Sequence, residues 1–242
     1  MDQRGIDAYD LPKRVATYDA DMEIMHPNRR KMVQVALESL PLPRESPLQA
    51  LDLGIGTGYF TERFLSEYPN SRVIAVDGAE AMMNLAKARL GRRSCQVDFR
   101  VGDFRRLELL GVCSETFDVI YSSYALHHLS REEKRALIAQ TYGLLRNPGW
   151  FVNADLIVAE SPQIEQRIQQ LRVSGIVERA GGRDPRFQDA ASTRRFLDEL
   201  EQRDGDQPQT LETDLEIMRN AGIHGATVLW LEYREAVFAW QR

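Results

Sequence analysis

The feature that most constrains the fold of this chain is a glycine-rich segment, LDLGIGTGYF, at residues 51–60. Its glycines, Gly54, Gly56 and Gly58, follow a short apolar run and precede an amphipathic one. Glycine is needed where the backbone takes a positive φ or approaches a ligand closely. A helix that begins after such a turn offers its first N–H groups to a polar or anionic ligand. The segment predicts a strand–turn–helix unit with a ligand site, although a merely tight turn would use the same glycines.

Short apolar runs alternate with amphipathic runs over the next hundred residues. The helical runs place apolar residues three and four positions apart, and one of them begins with the capping-box sequence SREE at residues 130–133. The runs that predict strands lie at residues 48–53, 72–76, 96–101, 117–121 and 150–158. Strands that alternate with helices predict βαβ units, and therefore a parallel sheet with right-handed crossovers.

The last third of the chain has a different pattern. Residues 226–231 and 236–240 are rich in β-forming residues and are joined by a short link, which predicts an antiparallel hairpin. Ser161 and Pro162 predict the start of a helix, whose buried face we expect to carry Ile164, Ile168 and Leu171.

Composition narrows the classes of function. The chain has 31 basic and 36 acidic residues and a formal net charge of −5, with both signs interspersed, which argues against a nucleic-acid partner. No apolar run is long enough to cross a membrane, and we expect no membrane partner. The two cysteines, Cys95 and Cys113, have no metal-ligand spacing, so we predict no metal site and a reducing, cytoplasmic location.

Asp77 extends the ligand site predicted at the glycine turn. It ends the apolar run at residues 72–76 and follows Gly54 by 77 − 54 = 23 positions. A nucleotide-binding βαβ unit places an acid at about this distance, where it accepts hydrogen bonds from ribose hydroxyl groups. An ordinary solvated aspartate at the end of a strand is the alternative interpretation.

A third element of the site is Gly102-Asp103-Phe104, directly after the third predicted strand. A carboxylate beside an aromatic ring can hold an adenine, and Met82 or Met83 could pack against the other face of the adenine ring. Each of these residues alone could be an ordinary core or surface residue. All three elements fall at the carboxyl ends of strands, which is where open α/β sheets bind their ligands.

These motifs resemble those of class I S-adenosylmethionine-dependent methyltransferases that act on small molecules. LDLGIGTG is similar to the glycine motif of the family, Asp77 to its ribose-binding acid, and GDF to its adenine-binding motif. Residues 117–129, FDVIYSSYALHHL, are similar to the segment around the fourth strand, and residues 144–156 to the helix, turn and strand that follow. The resemblance covers roughly residues 48–156 and the terminal hairpin. Asn147 departs from the family, which often has lysine or arginine there.

The resemblance implies a fold, a cofactor and a reaction. The fold is α/β, with a Rossmann-like, mostly parallel sheet of seven strands, an antiparallel last strand and helices on both faces. The reaction is the in-line transfer of a methyl group to an O, N or C atom of a small molecule, by a monomer or homodimer. The cofactor is S-adenosylmethionine, and the residues expected to bind it are Gly54, Gly56, Thr57, Gly58, Asp77, Gly78, Met82, Asp103, Phe104 and Ser122.

We expect a single domain over residues 1–242. Its predicted parts are an N-terminal helical cap, a cofactor-binding core, a helical lid and a final helix with the hairpin. The lid is predicted because this segment far exceeds an ordinary crossover connection. The parts span residues 1–45, 46–160, 161–210 and 211–242, in that order.

Catalytic residues are harder to predict, because methyl transfer mainly requires alignment of the reacting atoms and needs a base only if the acceptor carries a proton. His127 and His128 are candidates, since they follow the fourth strand, although such a pair can equally well shape a turn. Tyr18 could shape the transfer pocket or serve only in aromatic packing. Asp155 could contact the substrate or be an ordinary acid at the end of a strand. Residues 131–135, REEKR, predict a solvated helix face.

Three other functions stay open. A carboxy-S-adenosylmethionine synthase has the same fold, and the chain from residue 211 onward is similar to it, but the paired histidines are not expected there. A non-catalytic S-adenosylmethionine-binding protein is the second. An NAD-dependent dehydrogenase is the third, but it would prefer GxGxxG to the GxGxG found here.

Overall fold

A seven-stranded sheet organises the computed structural model, which describes residue 6 and residues 8–242. Residues 1–5 and 7 of the predicted N-terminal cap lie outside this part. The strands are β1 (Gln49–Leu53), β2 (Arg72–Asp77), β3 (Val97–Val101), β4 (Phe117–Ser123), β5 (Leu145–Leu156), β6 (Thr227–Glu232) and β7 (Glu235–Gln241). The helices are α1 (Pro12–Met25), α2 (Arg29–Glu38), α3 (Tyr59–Glu67), α4 (Glu80–Leu90), α5 (Arg131–Leu144), α6 (Pro162–Ala180), α7 (Ala190–Asp204) and α8 (Leu211–Asn220).

The strand order is β3–β2–β1–β4–β5–β7–β6. The first five strands in this order are parallel, whereas β7 runs antiparallel to both of its neighbours. The hairpin of β6 and β7 enters the sheet with β7 inside, so that Glu235 pairs with Leu156 at the carboxyl end of β5. The predicted Rossmann-like sheet with a reversed last strand is therefore confirmed.

Helices cover both faces of the sheet, as predicted. Successive residues of a strand point to opposite faces, and the two apolar clusters of the core divide the strands accordingly: Ala50 and Val119 belong to one cluster, Leu51 and Ile120 to the other. Helices α2, α3 and α4 contribute to the first cluster, and α5 and α8 to the second. This two-sided burial explains why the central strands are almost continuously apolar.

Two predicted helix starts are confirmed by their capping contacts. At α5, the backbone N–H of Glu133 donates to Ser130 Oγ at 3.2 Å, and the N–H of Ser130 donates to Glu133 Oε2 at 2.9 Å. At α6, the Ser161 hydroxyl oxygen accepts from the N–H of Ile164. Both caps satisfy N–H groups that have no partner within the helix.

The predicted buried face of α6 is wrong. Ile164 is 55% exposed and Leu171 is 38% exposed. Only the second half of α6 is well buried, because that half packs against α1 and α7 through a cluster that includes Val173 and Ile176. Ile168 and Leu171 instead line a second cavity of about 650 Å³, between α6, the end of α1 and the β6–β7 turn.

The prediction of a solvated face at residues 131–135 is wrong for Lys134. Its side chain is 4% exposed, and its Nζ lies 2.8 Å from Asp214 Oδ1 of α8, which is 2% exposed. The ion pair joins α5 to α8. A buried charge is tolerated only when a partner of opposite charge accompanies it.

The turn predicted at residues 147–149 lies within β5, where the pairing with β4 shifts between Leu145 and Trp150.

Among the described residues, no helix is both long and apolar enough to cross a membrane.

Candidate active site

A cavity of about 890 Å³, here called the main cavity, lies at the carboxyl ends of the parallel strands. Ten of the residues predicted for the site line it: Tyr18, Gly54, Gly56, Thr57, Asp77, Gly78, Met82, Asp103, Phe104 and His128.

The glycine turn needs its glycines for different reasons. Gly54 has a φ of +82°, and a Cβ atom there would lie 2.6 Å from the Cβ of Ala125. Gly58 has a φ of +79°, and a Cβ atom there would lie 3.0 Å from the Cβ of Ala86 in α4. Gly56 also has a positive φ, but no atom lies within 4 Å of its Cβ position, and it lines the main cavity. The turn is packed on both sides and leaves bare backbone facing the cavity.

Asp77, at the end of β2, fixes this turn. Its Oδ2 accepts from the N–H of Gly56 at 2.8 Å, and its Oδ1 accepts from the N–H of Ala79 at 2.9 Å. Burial raises the pKa of Asp77, although the two N–H donors act in the opposite direction. A carboxylate oxygen can accept more than one hydrogen bond. Asp77 can therefore hold the turn and still accept from hydroxyl groups in the cavity.

Asp103 and Phe104 form the wall beyond β3. Both carboxylate oxygens of Asp103 accept from the Arg105 Nε, at 2.8 and 2.9 Å, and Arg105 also donates to Glu133 of α5 at 2.7 Å. The Phe104 ring reaches to 3.7 Å from the Cβ position of Gly54. An acid and an aromatic ring thus stand together at the cavity, as the sequence predicts.

Besides Arg105, two charged residues of the main cavity are absent from the sequence-based predictions. Asp52 of β1 is 1% exposed, and its carboxylate accepts from the Thr61 hydroxyl. Burial raises the pKa of Asp52 to about 7, and the charge of Asp77 adds to the shift. Arg29 of α2 is buried against the Tyr59 ring, 4.3 Å from its centroid, and donates to Asp19.

The sequence offers a signal for one of these two residues. Asp52 is an acid within an apolar strand, and such a residue requires a functional or structural partner. No sequence pattern predicts that Arg29 lines the cavity, because its neighbour Arg30 is the same residue type and is exposed instead.

The paired histidines follow β4 in a short 3₁₀ turn and have different positions. The Nε2 of His128, which lines the main cavity, lies 3.3 Å from the hydroxyl group of Tyr9. His127 is buried behind it, with its Nδ1 2.6 Å from Asp155 Oδ1. Asp206, which follows α7, lies 2.9 Å from the Nδ1 of His128 and 3.6 Å from the Nε2 of His127.

The electrostatics of the two rings also differ. Burial lowers the pKa of His128, and the neighbouring His127 lowers it further. Burial would also lower the pKa of His127, but the carboxylates of Asp155 and Asp206 more than offset it and raise that pKa. The histidines in turn lower the pKa of Asp206 to about 2, against the effect of burial.

Residues 50–149 match the family model for a methyltransferase domain. An uncharacterized methyltransferase from Anoxybacillus flavithermus is 34% identical over 130 residues, which are 54% of this chain and 57% of the relative. This part of the chain is therefore similar to methyltransferase domains. The matched region is little more than half the length of this curated relative.

Solved methyltransferase structures share the fold over nearly the whole chain. An O-methyltransferase family protein from Burkholderia thailandensis has a TM-score of 0.67 at 14% identity, over 97% of this chain and 61% of that chain. The DhpI–SAH complex has a TM-score of 0.60 at 15% identity, over 99% of this chain and 95% of that chain. At these identities the similarity establishes the fold alone.

Some residues predicted for the site lie away from the main cavity. The hydroxyl group of Ser122 donates to the carbonyl oxygen of Leu53 at 2.7 Å, and the next residue, Ser123, lines the cavity instead. Gly58 packs against α4 rather than lining it. Asp155, expected to contact the substrate, is 2% exposed and bonded to His127. Its carboxylate therefore orients a side chain.

Proposed function

We propose that this protein transfers the methyl group of S-adenosylmethionine to an O, N or C atom of a small molecule by in-line displacement. The observation that carries the proposal is the main cavity, in which the glycine turn, Asp77 and the Asp103–Phe104 pair face one space at the carboxyl ends of the strands. S-adenosylmethionine supplies an electrophilic methyl group on a positively charged sulfur. The remaining task of the protein is to hold the acceptor in line with it.

The charged residues of the main cavity fit the chemical groups of this cofactor. Asp77 is placed to accept hydrogen bonds from ribose hydroxyl groups, as acids at this position do in nucleotide-binding folds. Asp52 is a buried carboxylate that would gain from the cofactor's ammonium group, and Arg29 is a buried cation that suits its carboxylate. Phe104 and Met82 offer apolar surface for the adenine ring.

The acceptor end of the main cavity, in this proposal, lies between α1 and the turn after β4. Tyr9, Tyr18, Tyr124 and His128 line it there. Their rings supply a mostly apolar surface with a few polar atoms, which is the usual character of small-molecule sites. We assign His128 to orienting the acceptor and His127, which does not line the cavity, to positioning His128.

We assign residues 161–210 to a lid over this end, which favours a small acceptor. The Arg14 guanidinium of α1 donates to Asp204 Oδ2 of α7 at 3.0 Å. The N–H of Gln207 donates to the carbonyl oxygen of His127 at 2.7 Å. These contacts tie the segment both to α1 and to the turn after β4. Exclusion of water by such a cover strengthens the polar contacts that position an acceptor.

The compartment and the assembly are part of the same proposal. Cys95 and Cys113 are unpaired and exposed, which suits a reducing compartment such as the cytoplasm. We propose that the protein is a monomer or homodimer, and size-exclusion chromatography with light scattering measures this oligomeric state. We also propose that it has no nucleic-acid substrate, and retention on a nucleic-acid column at physiological ionic strength would contradict this.

Calorimetry with S-adenosylmethionine and its demethylated product tests the cofactor assignment. We expect both to bind, and we expect Asp77→Ala to weaken binding by at least about 10-fold, because a lost charge-assisted hydrogen bond costs roughly 1.5–3 kcal/mol. Asp98→Ala, which removes an exposed carboxylate of β3, is the matched control and should bind like the wild type. If neither compound binds, or if Asp77→Ala binds like the wild type, the proposal fails.

A second experiment tests the reaction. The protein is incubated with methyl-labelled cofactor and a panel of phenols, amines and small carboxylic acids, and the products are identified by mass spectrometry. A labelled methylated acceptor supports the proposal. A carboxylated cofactor, or binding without any transfer, would assign the protein to one of the two related functions instead.

A further inference from the structure

Behind the acceptor end of the main cavity, three segments bring two imidazoles and two carboxylates together. His127 and His128 lie in the turn after β4, Asp155 lies near the end of β5, and Asp206 follows α7. The segment that carries Asp206 is fixed by main-chain hydrogen bonds. The N–H of Asp206 donates to Glu201 O at 3.0 Å, the N–H of Gln207 donates to His127 O at 2.7 Å, and Gln209 O accepts from the N–H of Val158, just after β5, at 3.0 Å. The cluster is therefore held by rigid elements.

Hydrogen bonds fix the orientation of His127. The Oδ1 of Asp155 lies 2.6 Å from the ring Nδ1, and its Oδ2 accepts from the backbone N–H of the same histidine at 3.1 Å. The N–H of Leu156 donates to Asp155 as well, at 2.8 Å. With the ring proton on Nδ1, the lone pair of Nε2 faces Asp206. The nitrogen of a metal-binding histidine that does not bind the metal almost always donates its N–H to a carboxylate, a backbone carbonyl or a water, and Asp155 is such a partner.

The distances among the facing atoms suit one ion. The Oδ1 of Asp206 is 2.9 Å from the Nδ1 of His128 and 3.6 Å from the Nε2 of His127. One ligand atom from each residue lies within 4.8 Å of the other two. Ligands bound at 2.0–2.1 Å with tetrahedral or octahedral angles are about 2.8–3.4 Å apart. Small side-chain adjustments would bring all three atoms to one metal ion.

The charge balance of the cluster also favours a cation. With both imidazoles neutral, Asp155 and Asp206 give the cluster two negative charges, and the side chains of the four residues are 3–17% exposed. Two nearby cations are paired elsewhere: Lys134 with Asp214, and Arg172, whose charge acts on Asp206, with Glu201. Buried charge is costly unless it is compensated, and a divalent ion would compensate both carboxylates.

We propose that His127, His128 and Asp206 bind one divalent transition-metal ion, with Asp155 orienting His127. Two imidazoles and one carboxylate suit Zn²⁺, Fe²⁺, Co²⁺ or Ni²⁺, and not Mg²⁺ or Ca²⁺, which prefer oxygen ligands. Three protein ligands leave at least one coordination position open. His128 also lines the main cavity, so the ion lies next to the acceptor end. The metal site itself does not depend on the proposed methyl transfer. Only a contact between the ion and the methyl acceptor rests on the proposed function.

Metal titration tests the site. The chelator-treated protein is titrated with Co²⁺, followed by visible absorption, and with Zn²⁺ by calorimetry. We expect saturation at one ion per chain. Asp206→Ala and His127→Gln should weaken binding more than about 100-fold, and Asp155→Asn by about 10- to 100-fold, which is the usual effect of losing a residue that orients a ligand. His224→Gln removes an exposed imidazole far from the cluster in sequence and should leave the affinity unchanged.

Two further measurements distinguish a failure of the metal proposal from an unfolded variant and from a failure of the cofactor assignment. S-adenosylmethionine binding, measured on each variant, shows that the variant is folded and tests the cofactor assignment independently. Imidazole ¹⁵N NMR of the wild type needs no variant: Zn²⁺ should shift the Nε2 of His127 and the Nδ1 of His128 and leave His224 unchanged. The proposal is overturned if the wild type takes up no metal, if only the His224→Gln variant loses uptake, or if Zn²⁺ shifts other nitrogens.

Discussion

Binding of the cofactor should release a proton from Asp52, so its affinity should fall as the pH is lowered from about 8 to 5. The carboxyl group is fully buried at the main cavity, and burial raises its pKa to about 7. No cation forms an ion pair with it among the residues that the structure describes. An ammonium group in the cavity would favour the charged carboxylate and return its pKa towards the ordinary value of about 3.9.

The magnitude follows from the fraction of protein in the charged form. At pH 5, two units below the pKa of the free protein, only about 1% of Asp52 is ionised, which costs about 2.7 kcal/mol of binding free energy. The affinity should therefore be roughly 100-fold weaker at pH 5 than at its plateau and roughly 10-fold weaker at pH 6. In Asp52→Asn this pH dependence should disappear, and the affinity at about pH 7.5 should be lower because the ammonium group loses its partner.

Calorimetry at about pH 6, in two buffers of different ionisation enthalpy, measures the proton directly. The wild type should release about 0.9 proton per cofactor bound, and Asp52→Asn should release less by that amount. The difference between the two proteins isolates Asp52 from the histidines, which titrate in both. Identical proton release and identical pH profiles in the two proteins would refute this reasoning.

The remaining predictions concern stability and are measured by chemical denaturation. Asp52→Asn should stabilise the ligand-free protein at about pH 8 by up to roughly 4 kcal/mol. The reason is that the folded carboxyl binds its proton more tightly than the unfolded one, and the stability that this gives the wild type is lost as the pH rises from about 4 to 7. Equal free energies of unfolding for the wild type and the variant at about pH 4 and at about pH 8 would contradict it. Gly54→Ala should cost about 1–3 kcal/mol for overpacking, besides about 1 kcal/mol of backbone strain, whereas Gly182→Ala, with a φ of +70° and open space, should cost only the strain; equal losses would contradict the packing argument. Lys134→Met should cost about 3–5 kcal/mol because it leaves the buried Asp214 unpaired, and adding Asp214→Leu should recover most of this; no recovery would contradict it.

Local patterns predicted most of the fold. The apolar strands, the glycine turn and the capping box depend on residues close together in sequence, and each was found near its predicted place. The reversed hairpin also follows from a short link between two β-rich runs. The buried face of α6 did not follow, because its apolar residues fit two faces and the packing of α1 and α7 decides between them.

In the candidate site, too, some residues could be predicted from the local sequence and others depend on contacts between distant segments. Asp77 and Asp103 could be predicted because Asp77 is the last residue of β2 and Asp103 comes two residues after β3. Ser122 was misplaced, since adjacent residues of a strand point to opposite sides and only the register of β4 shows that Ser123 faces the cavity. The partnership of His127 with Asp155 joins residues 28 positions apart in sequence, and no local signal connects them.

A crystal structure of the protein with S-adenosylhomocysteine would test the central claim most directly. The account predicts the ribose hydroxyl groups within hydrogen-bonding distance of Asp77, the adenine between Phe104 and Met82, and the amino group beside Asp52. The sulfur should face the end of the main cavity where His128 lies. Density for the compound elsewhere on the protein, or in the main cavity with its ribose away from Asp77, would contradict the account.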